Sequence, residues 1–181
     1  MPSVQKAQST DSELLSRFAR SRDEDAFADL MERHWGFVHS TARNALNNSA
    51  LAEDATQQAF IALSKRANQL SKNTSLGPWL YQTVNYEASN IRRREQRLQK
   101  RNRDYHALSE NTTGDQHHLS NKLHQALTNL SEKERELILL RFYEGLTAEQ
   151  IATKLKISPA AAQRRTHRAL ERLSAFANSE E

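Results

Sequence analysis

The sequence predicts an all-α protein of two small helical domains joined by an extended linker, the C-terminal domain carrying a helix-turn-helix. Three observations support this. Only 4 Gly and 3 Pro occur in 181 residues, so little in the composition breaks helices. Apolar residues recur at helical spacing, and N-cap residues precede most of these segments. The predicted divisions are a disordered N-terminus (1–10), a first domain (11–103), the linker (104–121), a second domain (122–176) and a tail (177–181).

The first domain opens with two predicted helices that supply core side chains. Asp11 is the expected N-cap of a short helix that places Leu14 and Phe18 on one face. A longer helix follows from about Asp25 to Leu46. Its apolar positions fall on one side and are interpreted as core: Phe27, Leu30, Met31, Trp35, Val38 and Ala42.

A third helix is predicted over Leu51–Arg66, with an apolar face and an acidic, amide-rich face. Asp54, Gln57 and Gln58 lie on the polar face. Such a helix is most often simply solvated on that side, with an acidic first turn that favours its macrodipole. The alternative is a patch that docks a partner helix. The residues alone favour the solvated surface.

A fourth helix is predicted to start near Trp79, after a Gly77-Pro78 turn. Aromatic side chains at its start give way to a run of arginines. Rings that stack on bases beside cations that follow the backbone suit single-stranded nucleic acid. Its apolar positions follow helical spacing and are interpreted as core, so the basic part is the candidate nucleic-acid surface. The aromatic residues are Trp79, Tyr81 and Tyr86, and the core positions are Leu80, Val84, Ala88 and Ile91.

The second domain is predicted to contain about four helices. The first carries Leu123, Ala126, Leu127 and Leu130 on one face. Ser131 and Glu134 then form a capping box for a helix that runs to Gly145. The apolar residues of that helix are Leu137, Ile138, Leu140 and Phe142.

The segment Leu146–Leu173 has the pattern of a helix-turn-helix. Thr147 and Gln150 form another capping box, and Ser158 followed by Pro159 marks the start of a second helix. That helix carries a crowded polar face: Gln163, Arg164, Arg165, His167, Arg168 and Arg172. Such a helix suits the DNA major groove. The plainer alternative is a helical hairpin with a solvated charged face.

Composition excludes several classes of protein. Without cysteine there are no disulfides and no thiolate metal sites. No apolar run approaches the roughly 20 residues that span a bilayer. No Gly-rich phosphate loop or cysteine nucleophile is present, and the histidines lack a ligand framework at fixed spacing. The sequence therefore predicts a cytoplasmic protein with no catalytic residue, no metal site and no cofactor.

Two stretches carry a resemblance to a known family. ALTNLSEKERELILLRFYEGLTAEQIATKLKIS in the second domain, and AEDATQQAF followed by PWLY in the first, stand in the order and spacing of that family. The chain resembles a two-domain bacterial sigma factor of the extracytoplasmic-function (ECF) group, over about Asp11 to Leu173. The resemblance implies a non-catalytic subunit that binds core RNA polymerase, recognises promoter DNA and melts it. A candidate further partner is an anti-sigma factor.

The resemblance also assigns roles to residues, and it favours docking over a merely solvated face on the third helix. The implied polymerase-binding residues are Asp54, Gln57 and Gln58. The implied minus-ten DNA residues are Ser71, Lys72, Asn73, Trp79, Tyr86, Asn90, Arg93, Arg94 and Arg97. The implied minus-thirty-five DNA residues are Ser158, Ala161, Gln163, Arg164, Arg165 and Arg168.

Some positions depart from the family pattern. Ala160, Ala161, Ala162 and Gln163 stand where the family often has Gly-Thr-Val-Lys, and Tyr86 and Asn90 stand where it commonly has Asn and Asp. The sequence therefore predicts where DNA is contacted and not which bases are read. The alternative hypothesis is a stand-alone helix-turn-helix regulator that binds operator DNA without polymerase.

Overall fold

The computed structural model describes residues 9–70, 74–103 and 118–178, and every regular element within these ranges is helical. This confirms the all-α prediction. The N-terminal half consists of α1 (Asp11–Ser21), α2 (Glu24–Leu46), α3 (Ser49–Arg66) and α4 (Leu76–Arg103). The C-terminal half consists of α5 (His118–Asn129), α6 (Glu132–Ile138), a π-helical segment (Leu139–Tyr143), α7 (Ala148–Leu155) and α8 (Pro159–Asn178). Helix α5 begins at His118, so the last four residues of the predicted linker, 118–121, are helical.

Side-chain caps fix the starts of the first helices. The N-cap of α1 is Thr10, and not Asp11 as expected. The Thr10 hydroxyl accepts the Glu13 N–H at 3.3 Å, and the Glu13 carboxylate accepts the Thr10 N–H at 2.7 Å. Asp11 is thereby free to bind side chains of α2. Asp23 and Asn48 cap α2 and α3 in the same way, through the N–H groups of Ala26 and Leu51.

The four helices of the N-terminal half enclose one hydrophobic core. The core positions predicted on α2, α3 and α4 are confirmed, because the small and aliphatic residues are fully buried and the larger ones pack around them. Trp35, for example, stacks on Phe60 with ring centroids 5.9 Å apart. The buried residues of this core include Leu14, Phe18, Leu30, Val38, Ala42, Ala52, Ala55, Ala59, Leu63, Leu80, Val84 and Ala88.

Helix α4 starts earlier than predicted. It begins at Leu76, so Gly77 and Pro78 lie in its first turn and not in a preceding loop. The first-turn N–H groups of a helix have no partner within the helix, so Pro78 costs no hydrogen bond there. The expectation of a Gly-Pro turn before the helix was therefore wrong.

The helix-turn-helix is present as predicted in α7 and α8. Both capping boxes of the C-terminal half form, at Ser131 with Glu134 and at Thr147 with Gln150. Lys156 ends α7 in the left-handed conformation, with φ 54° and ψ 46°. The Ser158 hydroxyl then accepts the Ala161 N–H at 3.2 Å and starts α8. The two helices, α6 and the π-helical segment share a small core of Leu137, Leu140, Ile151, Ala152 and Ala162.

The π-helical segment redirects the side chains that follow α6. Its wider turns are closed by i→i+5 bonds, such as the 3.0 Å bond from the Glu144 N–H to the Leu139 carbonyl. Gly145 follows with φ 68° and ends the segment. Phe142, expected among the apolar positions of the helix, is 60% exposed, because the wider turn rotates it off the buried face. Tyr143 points instead toward the N-terminal half.

The two halves pack directly on each other. The ring of Tyr143 stacks on Phe37 with centroids 3.9 Å apart. The Tyr143 hydroxyl lies 2.7 Å from Nδ1 of His34, and the His34 Nε2 lies 2.6 Å from Oδ2 of Asp11. His34 is 3% exposed, and Asp11 also pairs with Arg33 at 2.5 Å. A side chain of the C-terminal half is thus built into a polar network of the N-terminal half.

The pKa values of Asp11 and Tyr143 are both shifted in this network. Burial raises the pKa of Asp11, but hydrogen bonds and charge from His34 and Arg33 outweigh it and hold that pKa below its usual value. Burial, with Asp11 and Glu144 nearby, raises the pKa of Tyr143 to about 12. Tyr143 therefore keeps its proton and can donate a hydrogen bond to Nδ1 of His34, whose Nε2 lies against Asp11.

The contact between the halves leads to a prediction for two glycines. A Cβ at Gly77 would stand 2.6 Å from Cδ1 of Tyr143, whose ring is held by Phe37 and His34. We expect Gly77→Ala to lower the free energy of unfolding by about 1–3 kcal/mol, as overpacking does. Gly36→Ala is the matched control, since a Cβ there meets nothing within 4 Å.

In the interior of α2, Gly36→Ala should raise stability by about 0.5–1 kcal/mol through helix propensity. Urea unfolding of the two variants measures both effects. Equal stabilisation by both substitutions would contradict the close approach of Tyr143 to α4.

Candidate protein-binding and nucleic-acid surfaces

The outer face of α3 is an accessible polar surface. Asp54, Gln57 and Gln58 are all exposed, while the opposite face of the helix is buried in the core. Ile61, one turn further along on the outer face, is 42% exposed. The sequence analysis does not identify Ile61 as a surface residue. Its position, three residues after Gln58 and four after Gln57, nevertheless predicts that it lies on the same face. A polar surface with one aliphatic side chain suits a protein partner better than DNA.

A second surface runs along α4. Tyr86 is 63% exposed, and Arg93, Arg94 and Arg97 follow it on accessible positions about two to three turns later. Asn90 is half-buried, and its side-chain oxygen accepts a hydrogen bond from Arg93 at 2.7 Å. The arrangement offers one free aromatic ring followed by a row of guanidinium groups.

The aromatic residues at the start of α4 do not all belong to that surface. Tyr81, which the sequence grouped with Trp79 and Tyr86, is 2% exposed and lies in the contact between the halves, with Arg135 5.6 Å above its ring. It is a packing residue because the C-terminal half covers it, which a helical pattern cannot reveal. Ser71, Lys72 and Asn73 lie outside the described residues.

Trp79 lines a cleft between the halves. The cleft has a volume of about 340 Å³ and also contains Thr74 and Ser75 on the N-terminal side. Glu132 and Glu136 of α6 face them from the C-terminal side. Burial, together with the neighbouring charges of Glu132 and Glu144, raises the pKa of Glu136. Arg135 and Lys154 also line the cleft, so the structure places both acidic and basic side chains around a residue that the sequence assigned to nucleic acid.

A third surface lies on α8. Gln163, Arg164, Arg165 and Arg168 are exposed, and none of these arginines pairs with a carboxylate within the described ranges. Ala161 is half-buried, and the Ser158 hydroxyl is used as the helix cap. These three arginines of α8 are therefore free to bind phosphates or base edges.

Contacts with α6 determine how far the unpaired basic surface of α8 extends. Arg172 is held by Glu134 at 2.6 Å, so its charge is already neutralised within the protein. Lys133 of α6 borders a groove of about 520 Å³ together with Arg165 and Arg168. The sequence did not predict Lys133 because its place beside α8 depends on the packing of two separate helices.

Within the described part of the chain, no group of three or more His, Asp or Glu side chains is arranged to hold a metal ion. No helix in the same ranges is both long and apolar enough to cross a bilayer.

Comparison with known families gives matches in both halves. The family model for Sigma-70 region 2 matches residues 30–98, and the model for Sigma-70, region 4 matches residues 120–173. RNA polymerase sigma factor CarQ of Myxococcus xanthus is 31% identical over 167 residues, which cover 88% of this chain and 92% of CarQ. ECF RNA polymerase sigma factor SigW of Bacillus subtilis is 27% identical over 83% of this chain and 88% of SigW.

A solved structure shares the fold. CnrH, determined in complex with the cytosolic domain of CnrY, aligns with a TM-score of 0.53 at 21% identity. The alignment covers 94% of this chain and 99% of CnrH.

Proposed function

The chain belongs to the sigma-70 family of RNA polymerase sigma factors, in its extracytoplasmic-function group, and on that premise we propose how its surfaces serve promoter recognition. It acts with RNA polymerase in the initiation of transcription. In this proposal residues 11–103 bind core polymerase and the minus-ten element, and residues 122–176 bind the minus-thirty-five element.

The observation that carries this proposal is the set of unpaired arginines on α8. A helix-turn-helix places its second helix in the major groove, where Arg binds guanine edges and phosphates. Arg164, Arg165 and Arg168 are exposed and unpaired with any carboxylate of the described residues, which supports a role in binding duplex DNA. Ser158 and Ala161 stand at the N-terminal end of that helix, with Gln163 as a candidate base contact.

The surface of α4 is proposed to bind the melted minus-ten element. Trp79 and Tyr86 offer rings for stacking, and Arg93, Arg94 and Arg97 offer charge to the strand. Unstacking a base step costs a few kcal/mol, so captured bases and polymerase must together offset that cost. Asn90 is proposed to act there through its pairing with Arg93, and the segment Ser71–Asn73 is proposed to complete the site.

The outer face of α3 is proposed to dock on core polymerase. Asp54, Gln57 and Gln58 supply an acidic, hydrogen-bonding surface, and exposed Ile61 supplies apolar area. Interfaces combine a desolvated apolar contact with surrounding polar contacts, which this face can provide.

We further propose that the protein is not an enzyme and works in the cytoplasm. In this account the polymerase performs the chemistry of RNA synthesis, and this chain supplies only binding energy and position. Core polymerase and chromosomal DNA, its proposed partners, are cytoplasmic in bacteria.

An anti-sigma factor is a proposed third partner. The structural neighbour CnrH was solved with the cytosolic domain of CnrY bound, and the present chain shares the fold of CnrH. A protein that occupies the surfaces of α3 or α8 would block polymerase or DNA directly.

The rival hypothesis of a stand-alone regulator is less favoured, because it leaves the exposed surface of α3 and the family match of the first half without a role. Mobility-shift assays with promoter DNA distinguish the two functions. We expect the protein alone to bind weakly and to form a specific, stable complex once core polymerase is added. Tight site-specific binding of duplex DNA by the protein alone, with no effect of core, would support the regulator instead.

A further inference from the structure

The cleft between the two halves brings unpaired charges of both signs together. Arg135 of α6 and Lys154 of α7 supply the cations, and Glu132 and Glu136 of α6 supply the carboxylates. No ion pair among the described residues involves any of these four side chains. The cleft volume of about 340 Å³ lies within the range of small-molecule pockets, roughly 300–1,000 Å³, which occur preferentially at domain interfaces. The cleft therefore has the size and position of a ligand-binding site.

Two buried hydroxyl groups of the cleft residues lack hydrogen-bond partners. The hydroxyl oxygens of Ser75 and Tyr81 are buried, and neither has a partner within the described part of the chain. The side chain of Asn85 donates to the backbone carbonyl of Tyr81 at 2.7 Å. Burial raises the pKa of the Tyr81 hydroxyl, which therefore keeps its proton and needs an acceptor. A buried donor without an acceptor is costly, and a bound anionic group would remove that cost.

The guanidinium group of Arg135 is held in a fixed position at the same wall of the cleft. It lies 5.6 Å from the centroid of the Tyr81 ring. It donates to the backbone carbonyls of Leu127 at 2.7 Å and of Leu130 at 2.9 Å. Carbonyl oxygens accept its N–H groups without neutralising its charge. Together with the Lys154 ammonium group and the two hydroxyls, it forms a set of donors that suits a carboxylate.

Glu136 shows the opposite requirement. Burial, together with the neighbouring carboxylates of Glu132 and Glu144, raises its pKa, although Lys154 acts in the other direction. A raised carboxylate pKa means that the surroundings disfavour the negative charge, and a cation bound nearby would relieve this. A ligand with an ammonium group is therefore attracted to Glu136, while its anionic group is attracted to the cations of the same cleft.

The remaining wall of the cleft is apolar. Pro78 and Trp79 of α4 contribute from the N-terminal half, and Leu139 and Leu155 contribute from the C-terminal half. An aromatic or branched aliphatic group would remove apolar surface from water here. The cleft thus matches a small zwitterion that also carries an apolar group.

From these observations we propose that the cleft binds a free α-amino acid with an apolar side chain. Arg135, Lys154 and the two hydroxyls bind its carboxylate group, and Glu136 binds its ammonium group. The side chain of the ligand lies against Trp79 and Leu155. Because both halves contribute contacts, a bound amino acid favours their packed arrangement. This inference goes beyond the proposed function, which assigns no small molecule to the chain.

The test is calorimetric titration of the full-length protein with each of the standard L-amino acids. Glu136→Gln removes the proposed ammonium contact, and Lys154→Gln removes one of the proposed carboxylate contacts. Neither side chain forms an ion pair within the described ranges, so both variants should keep the fold. The matched controls, Glu149→Gln and Lys156→Gln, remove the same charges from exposed residues of the same half that lie outside the cleft.

Amino acids with aromatic or branched aliphatic side chains should bind in preference to glycine. Glu136→Gln and Lys154→Gln should each weaken the binding of the preferred amino acid by about tenfold or more, because each removes a charge-assisted hydrogen bond. The control substitutions should change its affinity by less than about twofold, as screened surface charges do.

Two derivatives of the preferred amino acid show which group each residue binds. The amide derivative lacks the carboxylate, so Lys154→Gln should not weaken its binding further. The N-acetyl derivative lacks the ammonium group, so its binding should be insensitive to Glu136→Gln. This crossed pattern requires direct contacts, because a structural disturbance of the cleft would weaken the binding of all these ligands alike.

Three results would overturn the inference. One is that no amino acid binds at millimolar concentration. Another is that the two cleft variants weaken binding no more than the controls do. The third is that both derivatives respond to both cleft variants in the same way. The titrations need neither polymerase nor DNA, so any of these failures leaves the proposed function standing.

Discussion

Alanine at Arg165 and Arg168 is expected to reduce promoter-dependent transcription by at least about fivefold for each arginine removed, while core polymerase is bound as before. Both side chains are exposed on α8, and neither is paired with a carboxylate among the described residues. An arginine that binds a base edge with two hydrogen bonds contributes about 1–3 kcal/mol, which corresponds to an effect of about 5- to 160-fold. Titrating promoter DNA against the pre-formed polymerase complex measures the loss.

The same helix provides the control for that experiment. Arg172 carries the same charge but is already held by Glu134 at 2.6 Å. Arg172→Ala removes a positive charge that is already paired with a carboxylate. It should therefore weaken promoter binding much less than Arg165→Ala or Arg168→Ala does. Equal losses for Arg172→Ala and Arg165→Ala would indicate a general charge effect. Full promoter activity without Arg165 and Arg168 would exclude α8 as the recognition helix.

The second large effect is expected on α3. Replacing Asp54 and Gln57 by alanine should weaken binding to core polymerase by about thirtyfold, as removal of a central interface contact does. The reason is that both side chains are exposed and project from a helix whose other face is fixed in the core. Fluorescence anisotropy of labelled protein titrated with core measures the affinity.

Asp29 of α2 gives the matched control for the α3 prediction. It is exposed and carries the same charge as Asp54. It lies on a different helix, outside the proposed docking face, so Asp29→Ala should leave core affinity within about twofold. Unchanged core affinity in the Asp54 and Gln57 double variant would remove the docking assignment from α3.

Local sequence signals were sufficient for much of the fold. The capping boxes at Ser131 and Thr147, and the Ser158-Pro159 start of α8, were predicted because each depends only on residues within one turn. The exposed faces of α3 and α8 followed from helical periodicity in the same way. The assignment at Thr10 failed because Thr and Asp are both good N-caps, and the Glu13 carboxylate selects the one three residues before it.

The remaining features depend on contacts between distant segments. The burial of Tyr81, the exposure of Phe142 and the approach of Tyr143 to Gly77 all follow from the π-helical segment and the packing of the two halves. Neither the π-helical segment nor the packing of the two halves is indicated by residues that lie within one helical turn of each other. For the same reason the charged side chains around Trp79 and the position of Lys133 beside Arg168 were not predicted. The assignment of Asp54, Gln57 and the DNA-binding arginines remains a prediction.

The most direct measurement is run-off transcription from a promoter library, with purified core bacterial RNA polymerase and this protein added or withheld. The account predicts defined start sites that appear only when the protein is present, with a shared upstream sequence that identifies the bases read by α4 and α8. Transcripts that are the same with and without the protein, together with a specific duplex shift by the protein alone, would contradict it.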